Sequence, residues 1–148
     1  MKSYTSLEQS KKLAEILPPE SADMYYKYVL PKSDRIIHTP EIGNPIDSSK
    51  WYNEGYTFGG KREPITLSEY CIPCWSLAAL LDLLPNNEHI ETTISRGSWK
   101  IDTVEYLPNT WWCEYEDSKS LTEFNISADN PVDACVAMIE KLHEQNLL

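Results

Sequence analysis

Apolar and polar residues along this chain follow two different periods, and the periods predict its elements. Leu13, Ala14 and Leu17 fall on one helical face and predict a helix over 7–16. Ser6 stands where it caps that helix, and Gln9, three residues on, suits a reciprocal capping box. Pro18-Pro19 ends it, because a residue before proline avoids helical backbone. From Met24 to Leu30 the period drops to two, with Met24, Tyr26 and Tyr28 on one side and Tyr25, Lys27 and Val29 on the other. Ile36-Ile37-His38 is a candidate return strand. Residues 40–50 hold Pro40, Gly43 and Pro45 and read as loop. An irregular aromatic lobe follows, with Trp51, Tyr52, Tyr56 and Phe58 ended by Gly59-Gly60.

The helical period returns at Leu77, Leu80, Leu81 and Leu84, one apolar stripe. Pro73 suits the first turn of that helix, where its missing N–H costs nothing, and a short turn at 66–71 opens on Thr66 and Glu69. Over 90–127 the pattern is period two. It predicts strands at 91–95, 98–107, 111–116 and 121–126, with Pro108-Asn109 turning the chain. Connections this short join antiparallel neighbours. The last element is a helix capped by Asp129 or Asn130, with Pro131 first and a buried stripe of Val132, Cys135, Val136, Ile139 and Leu142. Lys141 and His143 lie at the negative end of its dipole. The pattern as a whole predicts a single α+β domain over 1–148. Its antiparallel β meander carries about three helices packed mainly on one face, and a loop-rich, aromatic-containing insert lies at about 31–64.

Composition narrows the class. Of 148 residues, 41% are apolar and 24% charged, and the five Trp and nine Tyr are more than a disordered chain carries. No apolar run approaches the ~18 residues of a membrane span. The opening Met1-Lys2-Ser3-Tyr4 leads into no secretory signal, which predicts a cytoplasmic protein with reduced cysteines. Net charge is -10 and sits unevenly: residues 71–148 carry 13 acids against 4 bases. Such a field repels a phosphate backbone, so direct nucleic-acid binding is not expected.

Few residues invite chemistry. Cys71-Ile72-Pro73-Cys74, read at a helix start, has the dipole-lowered thiol pKa of a redox pair, but lacks the apolar strand that precedes such sites. The opposing reading is two small packing residues. Zinc needs four ligands, and Cys113 and Cys135 form no second knuckle, so no metal or other cofactor is expected. His38, His89 and His143 are isolated. Glu114 and Glu116 share a strand face that is expected to be exposed. Trp111 and Trp112 point to opposite faces, so both cannot meet one helical layer. With Trp51 and Tyr56 they form the candidate aromatic contact surface.

Four segments carry a resemblance: Leu7-Glu8-Gln9-Ser10-Lys11-Lys12-Leu13, Ser21-Ala22-Asp23-Met24-Tyr25-Tyr26, Pro73 to Leu81, and Asn130-Pro131-Val132-Asp133-Ala134-Cys135. In them the chain resembles a family of small proteins of gut Bacteroidales and their phages or mobile elements. The resemblance implies an accessory protein and brings no catalytic residue or cofactor with it. The resulting expectation is a non-enzymatic protein acting through protein–protein contact. Its rivals are a thiol–disulfide redox protein built on Cys71 and Cys74, and an acidic inhibitor that mimics nucleic acid.

Overall fold

The computed structural model describes residues 2–30, 33–48, 66–100 and 105–148. It is an α+β protein with two three-stranded antiparallel sheets, formed in two compact units: Ser6–Ala79, and Met1–Thr5 with Leu80–Leu148. Among the described residues no helix is long and apolar enough to cross a membrane.

The Ser6–Ala79 unit opens on α1 (Leu7–Leu13). Its predicted capping box is present: the Ser6 hydroxyl accepts from Gln9 N–H at 3.2 Å, and Gln9 Oε1 accepts from Ser6 N–H at 3.0 Å. The helix is shorter than its apolar period predicts, with Leu13 and Leu17 buried and Ala14 exposed. Pro19–Ser21 makes a 3-10 turn before β1 (Met24–Lys27). Strand β1 pairs on one side with β2 (Glu41–Ile42), inside the stretch expected to be loop, and residues 45–48 are helical. Tyr28 bridges Ile36, the predicted return of the chain.

On its other side β1 pairs with β3 (Cys71–Cys74), which follows the short helix α2 (Leu67–Tyr70). This corrects the expectation for residues 71–74: they are a strand, and the leucine helix α3 begins later, at Leu77–Leu83. Proline is tolerated there because β3 is the edge of the order β2-β1-β3, where an absent N–H removes no ladder bond. The α3 stripe is also narrower than predicted. Leu80 and Leu84 are buried, but Leu81 is 38% exposed. Ser76 caps α3 through its hydroxyl, which accepts from Ala79 N–H at 3.2 Å. Asp23 in turn accepts from Ser76 N–H at 2.9 Å and from the Ser76 hydroxyl.

The second unit is built on the meander of β4 (Ile90–Lys100), β5 (Glu105–Asp117) and β6 (Thr122–Ala128). Two predicted strands, 91–95 and 98–107, are divided differently here. Residues 90–100 form one strand, and Pro108-Asn109 lies inside β5 rather than in a turn. The register explains this. Arg96 faces Trp111 and Ser98 faces Leu107, so Gly97 alone opposes Pro108, Asn109 and Thr110. The proline sits in that bulge, where the ladder is already interrupted. Gly97 takes φ +89, a conformation costly for other residues. Arg96 holds the bulge by donating from Nε to Pro108 O at 3.2 Å and from a guanidinium NH2 to Asn109 Oδ1 at 3.3 Å.

Helix α4 (Pro131–Glu144) packs on β5 and β6. Asn130 is the cap, with Oδ1 accepting from Asp133 N–H at 2.9 Å, and Lys2 pairs with Asp133 at 2.7 Å. The whole predicted stripe is buried, and Ala134 and Met138 widen it. Each large apolar side chain buried here stabilises by roughly 1.5–3 kcal/mol. Val136→Asp is therefore expected to cost several kcal/mol or unfold the protein, because it buries an unpaired charge. A thermal melt checks this, and an unchanged Tm would show that α4 is not docked.

Candidate functional site

Cys71 and Cys74 lie three apart on β3, so their side chains leave opposite faces of the sheet. Cys71 packs with Tyr25 and Tyr70, and Cys74 with Tyr26 and Ile72. Both are buried, and burial pushes the Cys71 thiol up to about 12. No helix start underlies the pair, so the expected dipole is not supplied. The strand also keeps the two sulfurs from meeting.

Instead the structure puts the two cysteines that spacing left apart into one buried layer. Cys113, on the central strand β5, and Cys135, on the face of α4 that packs on β5 and β6, are both 0% exposed. The Cys113 side chain and burial both push the Cys135 thiol up. This placement depends on tertiary packing across distant segments, and no local motif announces it. Among the described residues no three His, Cys, Asp or Glu side chains are placed to hold a metal ion.

The two faces of the meander differ. The α4 side carries Cys113 and Tyr115, both fully buried, and half-buried Trp111, whose ring lies 5.9 Å from the Arg96 guanidinium. The other parity of β5 carries Trp112, Glu114 and Glu116. Trp112 is half-buried, between Ser95 and Ser127 in register. Thus neither tryptophan is fully exposed, and the register sends them to opposite sides. Trp51 and Tyr56, the other members of the expected aromatic surface, lie outside the described residues, as do residues 31–32 and 49–64 of the insert.

Glu116 faces Glu91 on one neighbour and Glu123 on the other, and all three are exposed. Three carboxylates therefore stand in one row across the sheet, at a strand spacing of about 4.8 Å. Expected as an exposed pair, Glu114 and Glu116 differ: Glu114 is half-buried. The row borders a cleft of about 540 Å³ at the β5–β6 turn, lined also by His89, Asp117 and Leu121. His38, His89 and His143 are exposed, as expected. Leu121 is 87% exposed with φ 57, an unfavourable backbone for a branched side chain. Asp117 holds that turn, accepting from Lys119 N–H at 2.9 Å and the Ser120 hydroxyl at 2.8 Å. Comparison of the chain with family models, with curated proteins and with solved structures finds no match.

Two measurements check this geometry. Native Cys71 is expected to label slowly with a thiol reagent at neutral pH, its rate still climbing without a plateau through the range where an ordinary thiol has levelled off, because burial holds its pKa at about 12. Rapid labelling at pH 7 would contradict its burial. The Ser120 bond, chief among the turn's contacts, holds the Asp117 carboxyl below its ordinary value. The turn is thus stabilised above the unfolded Asp pKa, and this contribution is lost as pH falls through the lower folded value. Ser120→Ala is expected to move the Asp117 titration upward by NMR. An unmoved titration would remove Ser120 as the cause.

Proposed function

We propose that this protein is a non-enzymatic accessory protein that works by protein–protein contact, and that the contact surface is the meander face away from α4. The observation that carries this reading is the cross-strand row Glu91–Glu116–Glu123, on the same sheet face as Trp112 two same-face positions away along β5. No basic side chain pairs with any of the three among the described residues, so the row is left to a partner of opposite charge. The row lies in the half of the sequence with the larger acidic excess. A field of this kind speeds encounter with a basic surface and disfavours acidic ones. Trp112 adds amphipathic area of the type enriched at contact centres. Action inside a Bacteroidales cell or its phage cycle belongs to the same proposal and draws on the resemblance of the four segments.

An acidic inhibitor that occupies a nucleic-acid site would use the same carboxylates, and the partner's identity separates the two. The test is affinity capture from a Bacteroidales host, with the wild type beside Glu91→Gln/Glu116→Gln/Glu123→Gln. The expected outcome is a basic partner retained by the wild type, released by salt, and bound at least tenfold more weakly by the triple variant. A partner bound equally by both proteins would place the contact elsewhere. Displacement of the partner by DNA would favour the inhibitor reading.

A further inference from the structure

We propose that the cleft beside the outer edge of β3 binds a small monocarboxylate with an apolar body, its chain on the cleft floor and its carboxylate at Lys11. The cleft has a volume of about 380 Å³, within the ~300–1,000 Å³ of small-molecule sites. Cys71, Ile72 and Pro73 of β3 line it, with Ala14 from the end of α1 and Leu67 from α2. These give an apolar floor of the kind that holds the body of a small ligand. Tyr28 also lines the cleft, and its packing on Tyr26, Ile72 and Cys74 ties that floor to the core. Every lining residue belongs to the Ser6–Ala79 unit, so the cleft is formed within it and is separate from the carboxylate row.

Charge selects the head group. The chain carries a net charge of -10, yet no carboxylate lines this cleft among the described residues, and Lys11 is its one charged side chain there. Lys11 is exposed and makes no ion pair among the described residues, even with Glu8 and Glu15, which lie three and four positions away. An unpaired ammonium at the rim of an apolar cleft attracts one anionic group and repels a cationic one. The edge of β3 decides against a peptide strand as the occupant. Alternate residues of an edge strand turn their backbone groups away from the neighbouring strand, and on β3 these are Cys71 and Pro73. Cys71 N–H already donates to Leu67 O, and Pro73 has no N–H, so the cleft side of β3 offers no amide to an added strand.

The test titrates the 15N-labelled full chain with octanoate and follows backbone amides by NMR. Octylammonium and 1-octanol, which keep the chain and change the head, are titrated beside it. Salt is held at about 0.15 M, where charges more than ~8 Å away are screened and the local lysine dominates. The expected result is saturable octanoate shifts at Ala14, Ser68 and Ile72, and tighter binding of octanoate than of octylammonium. Lys11→Met is expected to weaken octanoate about fivefold, as loss of one exposed ion pair does, and to leave 1-octanol unchanged. Ala14→Trp, also at an exposed position, is expected to fill the cleft and abolish binding of all three. Lys11 lies outside the core, so its variant keeps its melting temperature and decides the question without the second variant. Absence of saturable octanoate shifts up to about 10 mM would overturn the proposal. So would shifts centred outside the Ser6–Ala79 unit, tighter binding of octylammonium, or unchanged octanoate affinity in Lys11→Met. Octanoate binding that persists in a folded Ala14→Trp variant would equally remove the cleft as its site.

Discussion

Parity on β5 governs the rest of the Leu80–Leu148 unit. Odd positions 113 and 115 are fully buried, and the stripe of α4 packs against that strand and its neighbour. Even positions 112, 114 and 116 are less buried or exposed. A slip of one residue would turn Cys113 and Tyr115 outward and carry Glu114 and Glu116 under the helix. Buried carboxylates without partners are too costly for that register to compete. One choice thus fixes the apolar layer, the burial of the Cys113 thiol and the carboxylate row together. The bulge at Gly97 leaves this choice untouched, because it lies beyond Trp111, where β6 has already ended its pairing.

The Ser6–Ala79 unit meets a different demand. Strand β1 has adjacent tyrosines, Tyr25 and Tyr26, that are buried on opposite faces. A strand covered on both sides must find partners for its backbone groups within the sheet. Strands β2 and β3 supply them on its two edges. The Tyr25 hydroxyl is also satisfied, donating to Glu41 at 2.7 Å across the β1–β2 pair. Its ring lies 6.0 Å from that of Tyr70, and Lys27 stands 5.9 Å above the Tyr70 ring. The polar ends of these residues are therefore placed by cross-strand register, while their rings fill the apolar layer.

What was legible in the sequence was local. The Ser6–Gln9 and Thr66–Glu69 capping boxes and the Asn130-Pro131 helix start depend on residues within one turn, and each is present. The burial stripe of α4 was legible because helical period and apolar content agree there. Residues 71–74 were misread because Pro73 and the leucines after it satisfy the rules for a helix start as well as those for an edge strand. Pro108 was read as a turn because its tolerance in β5 depends on Gly97, across the hairpin. Two features of the candidate site share this non-local origin. Glu91, Glu116 and Glu123 become neighbours only through strand register, and Cys113 and Cys135 share a buried layer only when the helix docks. Alternation could say that Glu116 faces outward, but not which residues stand beside it.

The margin of the meander carries a colloidal consequence. Strand β6 ends the order β4-β5-β6, so among the described residues one side of its seven-residue backbone has no strand neighbour in that sheet. It carries no proline or lysine to discourage a second chain, and Glu123 is its one charged residue. Separation of molecules in solution then rests heavily on mutual repulsion from the net charge of -10. Near the isoelectric pH of about 4.7 that repulsion vanishes. Mildly acidic solution is therefore the condition in which charge opposes the approach of two β6 margins least.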